Sequence, residues 1–130
     1  MIEKDSVFMF QGKRFRGYAY INPSTKKVIR PGITEEGLIV DKVYFDNVIH
    51  ICVYQGKQRL YSKDLHKEMF AGTIPDDFLK MSILSDMDFM GVSSKGYHYR
   101  ATICIPDGMT CYYVDLLIDK DDQIHYTLKQ

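Results

Sequence analysis

The chain has 130 residues, 45% hydrophobic and 26% charged, with 17 basic and 17 acidic side chains and a formal net charge of zero. That length supports one domain, residues 1–130, with a real core. The balanced charge argues against a nucleic-acid binder that works by neutralising phosphates, and it leaves no global field to steer acidic or basic partners. No run of 18 apolar residues occurs, so no transmembrane helix is expected. No apolar leader region is read near Met1 either. Ten Tyr and seven Phe without Trp suit a β-rich chain.

In chain order, Val7–Phe10 is a short apolar run broken at Gln11-Gly12-Lys13. Arg14–Ile21 alternates as a strand, with Phe15, Ala19 and Ile21 on one face and Arg14, Arg16, Tyr18 and Tyr20 on the other. Asn22–Thr25 has the composition of a turn. Lys27–Arg30 then returns as an edge strand guarded by its basic residues. Gly37–Phe45 reads as a strand and Asp46-Asn47 as a turn. Val48–Tyr54 is a strong strand, with Ile49, Ile51 and Val53 opposite in face to His50, Cys52 and Tyr54.

Gly56-Lys57 fits a two-residue hairpin loop with glycine first, which sets Leu60 against Val53. Ser62 is a plausible N-cap for a short helix over about 63–70. Pro75 with Asp76 and Asp77 opens a second helix over about 75–85, with Phe78, Met81 and Leu84 apolar. Asp86–Val92 is a strand.

The register is best specified in the last third. Tyr97–Ile105 and Cys111–Asp119 alternate about the turn Pro106–Met109, which sets Cys104 against Cys111, Ala101 against Val114 and Arg100 against Asp115. A second turn at Lys120–Asp122 brings Ile124, Tyr126 and Leu128 back onto the same apolar face. The fold class is α+β, mainly β: an antiparallel curved sheet or two packed sheets. About six short strands and one or two short helices precede a C-terminal four-strand meander whose dry face needs a cover.

Three cysteines cannot all pair, so reduced thiols are the ordinary reading. The exception is Cys104 and Cys111, which the register sets abreast as a possible disulfide. No nucleotide loop, HExxH, GxSxG or CxxC motif occurs, and no cofactor is implied. The mixed face of the meander collects His98, Arg100, Tyr113 and His125 beside Cys104, Cys111 and Asp115 as candidate ligand-binding residues. His98 lies roughly 20 Å of strand from Cys104, which rules out a catalytic triad built from them. His98 and His125 share a cross-strand row roughly 10 Å apart, too far for one metal ion. The second candidate surface is Arg14, Arg16, Tyr18 and Tyr20, a basic–aromatic ladder that either stacks a glycan or single strand, or is a solvated sheet face.

A rhythm runs from Ile49-His50-Ile51-Cys52-Val53 through Lys67–Phe70, Ile74-Pro75-Asp76-Asp77-Phe78-Leu79 and Cys104-Ile105-Pro106-Asp107 to Ile118-Asp119 and Ile124-His125-Tyr126. It resembles small uncharacterised proteins of gut Bacteroidetes, often envelope lipoproteins, grouped only as a domain of unknown function. The lipoprotein signal usual there is absent from this chain, and the resemblance transfers no catalytic residue. The expectation is a non-enzymatic binding or envelope-associated domain, with a protein or glycan partner and no nucleic acid. Rival readings are a small-ligand carrier or enzyme with a pocket between helix and curved sheet, and a homo-oligomeric subunit such as a homodimer. Location is left open: the expectation is cytoplasmic for the sequence as it stands, and periplasmic or lipid-anchored to the envelope if an N-terminal signal is removed.

Overall fold

The computed structural model describes residues 1–108 and 110–129. Two four-stranded antiparallel sheets face each other. The first runs β1 (Ile2–Phe10), β2 (Lys13–Ile33), β3 (Ile39–Gln55), β4 (Gln58–Leu65), and the second β5 (Ile83–Ser93), β6 (Gly96–Cys104), β7 (Cys111–Ile118), β8 (Ile124–Lys129). Both are meanders, because every chain-neighbouring pair of strands is joined by a short loop except at the crossover from β4 to β5.

The alternation in the sequence explains the core. Phe15, Ala19, Ile21, Ile49, Ile51 and Val53 point inward from the first sheet. Met87, Phe89, Tyr99, Ala101, Ile103, Val114, Leu116 and Ile118 point inward from the second, and all join one hydrophobic cluster. The second sheet pairs Cys104 with Cys111, Ala101 with Val114 and Arg100 with Asp115, then Leu116 with Tyr126. Met109, which the turn at 106–109 includes, lies outside the described residues.

The first half departs from the sequence expectation in three ways. The six short strands are four long ones. Asn22–Thr25 is not a turn; it lies inside β2, where Ser24–Lys26 form an irregularity against Asp46 alone on β3. Partner strand hydrogen bonds on either side override the local turn chemistry. Beyond it, Lys27–Ile33 and Ile39–Phe45 pair only with each other, because β1 stops at Ile2 opposite Ile21 and β4 at Leu65 opposite Ile49.

The helices are also shorter than expected. Ser62 caps nothing: Ser62–Leu65 belong to β4, and only Lys67–Phe70 form a 3₁₀ turn. The second helix, α1, covers Asp76–Met81 and ends where Ser82 turns extended. Its continuation is pulled into β5 because the buried Asp46 carboxylate accepts the Leu84 N–H at 2.8 Å, while Asn47 Nδ2 donates to Leu84 O at 2.9 Å. α1 lies flat on the sandwich, with Leu79 buried and the Phe78 ring edge-on to Tyr112 at 4.5 Å.

Two inward groups set the distance between the layers. The Tyr99 hydroxyl, from β6, lies 3.0 Å from Tyr18 O and 3.2 Å from Cys52 O of the opposite sheet, so it reaches the backbone directly under the outer face of β2 and β3. Gly17 leaves room for the Phe89 ring: a Cβ there would sit 2.2 Å from Phe89 Cγ. Gly17→Ala is therefore expected to destabilise the fold by about 1–3 kcal/mol through overpacking. Urea unfolding checks this, and Phe89→Leu in the same chain should recover part of the loss.

Candidate basic–aromatic site

The outer face of the first sheet follows from the register. Arg14, Arg16, Tyr18 and Tyr20 of β2 point outward because Phe15, Gly17, Ala19 and Ile21 point in. Opposite them on β3, Tyr54 pairs with Arg16, Cys52 with Tyr18 and His50 with Tyr20. The rings form a continuous track: Tyr18 and Tyr20 stack at 5.8 Å, Tyr54 meets Tyr18 edge-on at 5.7 Å, and His50 lies 6.1 Å from Tyr20. The four ladder residues expected from the sequence, together with Tyr54, Gly56 and Lys57, line one open cleft of about 540 Å³.

The cleft combines tyrosine rings with charge gathered at one end. Arg14, Arg16 and Lys57 stand at the end formed by the two hairpin loops, with Asp5 3.3 Å from Arg16. Glu3 pairs with Tyr20 at the other end, and it adds to the burial and the Cys52 interaction that raise the Tyr20 phenol above its ordinary value. One end therefore suits an anionic group and the middle suits a flat, weakly polar one. Tyr54 and Lys57 were not singled out from the sequence. The alternation across β3 and the loop after it carry the signal for both, once β3 is paired with β2.

Cys52 is buried among these side chains and is not in a disulfide. Burial raises its thiol above the usual cysteine value, against a smaller opposing pull from Arg59. It is the protonated form that the site favours.

The other candidate surface, the mixed face of the second sheet, is self-neutralised. Arg100 Nε donates to Asp115 Oδ1 at 2.7 Å, and Lys129 Nζ lies 3.7 Å from the same carboxylate. The arginine hydrogen bond holds the Asp115 carboxyl below its ordinary value. His98 Nε2 meets Ser93 Oγ at 2.7 Å, and His125 Nε2 meets Asp119 Oδ2 at 2.7 Å. Leu117 separates the two histidines in one cross-strand row. Tyr113 stands exposed four residues along β7, opposite Thr102 and Lys129. Among the described residues no group of three His, Cys, Asp or Glu is arranged to hold a metal ion. Cys104 and Cys111 sit abreast, Cα atoms 4.1 Å apart, and are joined as a disulfide in the structure.

A family model described as a domain of unknown function, DUF4738, matches residues 1–126. The chain belongs to that family. The match spans both sheets of the DUF4738 fold, whose description names no activity. Comparison with curated proteins finds no match. No helix of the described residues is long and apolar enough to cross a membrane.

The buried thiol makes the site's packing measurable. Alkylation of Cys52 by iodoacetamide at pH 7 is expected to be at least about tenfold slower in the folded chain than in denaturant. Its rate should keep climbing as pH passes the ordinary cysteine range, because burial raises the thiol. Tyr18→Ala should speed it by opening the cover.

Proposed function

We propose that this protein is a binding domain whose outer first-sheet face takes an acidic oligosaccharide. The observation that carries this reading is the stacked Tyr18–Tyr20 pair, flanked by Arg14, Arg16 and Lys57 along one cleft. Sugar rings present C–H faces that lie well on tyrosine, and a uronic carboxylate matches a guanidinium fork. A single-stranded nucleic acid is a poorer fit, because the net charge is zero and Glu3 and Asp5 stand on the same face. Titration calorimetry with uronic-acid oligosaccharides is expected to detect binding that Arg14→Ala or Tyr18→Ala weakens about tenfold or more, roughly 1.4 kcal/mol. Equal binding of neutral and acidic sugars, or no effect of Arg14→Ala, rejects the reading.

We further propose an oxidising cell envelope as the location of the domain. Support comes from the register that sets Cys104 against Cys111 within bonding reach. In unfolded, unreduced native protein a thiol count of one supports this placement, and three rejects it.

Self-association is a second reading, favoured by the free β2–β3 arm. Ile29, Ile33, Leu38, Ile39, Val43 and Phe45 are exposed there, Ile39 by 83% and Ile33 by 72%. Ile29 pairs with Val43 and Ile33 with Ile39 on one face, while Val28 and Arg30 turn the other way, Arg30 reaching Met81 and Asp107. These exposed apolar side chains share one face of the arm, and an exposed apolar patch of this kind marks an interaction surface, so a second copy laid on it symmetrically is the occupant proposed. Sedimentation equilibrium is expected to give a dimer that Ile39→Asp converts to monomer. A wild-type monomer at high micromolar concentration removes this reading.

A further inference from the structure

The bulge in the β3–β4 pairing creates a second arrangement around His50, at the end of the ring track. Tyr54 pairs with Arg59 but Val53 pairs with Tyr61, so Leu60 is the extra residue. From there on every β4 side chain is shifted by one position, which flips its face. Cys52 then lies opposite Ser62 and His50 opposite Asp64. On the outer face, Asp64 Oδ1 is 2.6 Å from His50 Nδ1, and Ser62 Oγ is 3.1 Å from His50 Nε2. With Nδ1–H donating to the carboxylate, Nε2 is left to accept the serine proton.

We infer that Ser62, His50 and Asp64 form a serine nucleophile, its general base and an orienting carboxylate, and that the chain cleaves carboxylic esters. Nucleophile–base and base–orienter hydrogen bonds are two geometric tests such a site must pass, and both are met. Ser62 also lines an open depression of about 470 Å³ with Arg59, Leu60, Tyr61, Lys63 and Asp122. Arg59, opposite Tyr54 on the Ser62 face of β4, supplies positive charge there for a developing oxyanion.

The step balances with water as the only co-reactant. Ser62 Oγ attacks the carbonyl carbon while its proton passes to His50 Nε2. The bond from carbonyl carbon to the alcohol oxygen breaks, and the leaving alcohol takes the proton back from His50. Water then attacks the Ser62 acyl ester, with His50 again accepting and returning the proton, and releases the carboxylic acid. Asp64 acts through His50 as a positioning residue. An open sheet face suits small or flexible acyl esters, not a substrate that must be enclosed.

This inference goes beyond sugar binding and does not depend on it. The test is labelling of the full chain by a fluorophosphonate probe, with the adduct mapped by mass spectrometry, alongside hydrolysis of 4-nitrophenyl acetate. Wild type is expected to label at Ser62. His50→Ala and His50→Gln, checked by circular dichroism and urea midpoint, should slow labelling at least about a hundredfold. Asp64→Asn should slow it at least about tenfold, and Asp64→Glu should recover part of the rate, which a merely structural carboxylate would not predict. Absence of a Ser62 adduct, or a labelling rate that folded His50→Gln leaves unchanged, overturns the proposal. Calorimetric sugar binding and the mapped Ser62 adduct are read independently on the same wild-type chain, so failure here and failure of the sugar reading are separately visible.

Discussion

Leu84 gives both of its backbone polar groups to side chains of the opposite sheet, its N–H to Asp46 and its carbonyl to Asn47. The rest of the structure depends on that exchange. Leu84 is fully buried, and a buried amide left unpaired costs about 1–3 kcal/mol. The Asp46-Asn47 pair meets that demand at the point where β5 begins. It thereby locks the start of the second sheet to the middle of β3, ends α1 after six residues, and fixes which face of β5 turns inward. Lys67 Nζ stands 4.0 Å from the same carboxylate and donates to Ser82 O at 2.8 Å, so the crossover is tied at several points.

With the layers locked, the outer face of β2 and β3 becomes a rigid platform. Tyr99 reaches through the core to the carbonyls of Tyr18 and Cys52, and Phe89 fills the gap left by Gly17. The tyrosine track and the His50 row therefore rest on packed β structure, which holds side-chain geometry more closely than a loop does. The charge along the platform is graded from arginine and lysine at the hairpin end to carboxylates at the other. The opposite outer surface, on the second sheet, spends its charges on one another through Arg100, Asp115 and Lys129. On the first sheet Arg16 pairs with Asp5, but Arg14 and Lys57 form no ion pair among the described residues, which makes that sheet the better candidate for recognition.

Legibility from sequence differed between the halves for a physical reason. In β6 and β7 the alternation departs from pattern chiefly at Leu117, and a one-residue slip would bury Arg100 and Asp115, so pattern alone selects the pairing. The Arg14, Arg16, Tyr18, Tyr20 ladder was legible by the same argument. In β4 the alternation is only eight residues long and passes through a bulge. An unbulged register puts Leu60 on Val53 and turns Ser62 and Asp64 away from His50. Reading Ser62 as a helix cap follows from the same error, since serine before a charged run suits either role.

The amino-acid sequence by itself determined that this is a β-rich domain with a dry and a wet side, because period-two patterning dictates which side chains can be buried. It also determined the pairing of the last strands and the chemistry of the ladder. Only the tertiary structure decided where β2 continues through its apparent turn, where the bulge falls in β4, and hence that Ser62, His50 and Asp64 meet. Those outcomes depend on partner strands far away in the chain, whose hydrogen bonds outweigh local propensities of a few tenths of a kcal/mol per residue.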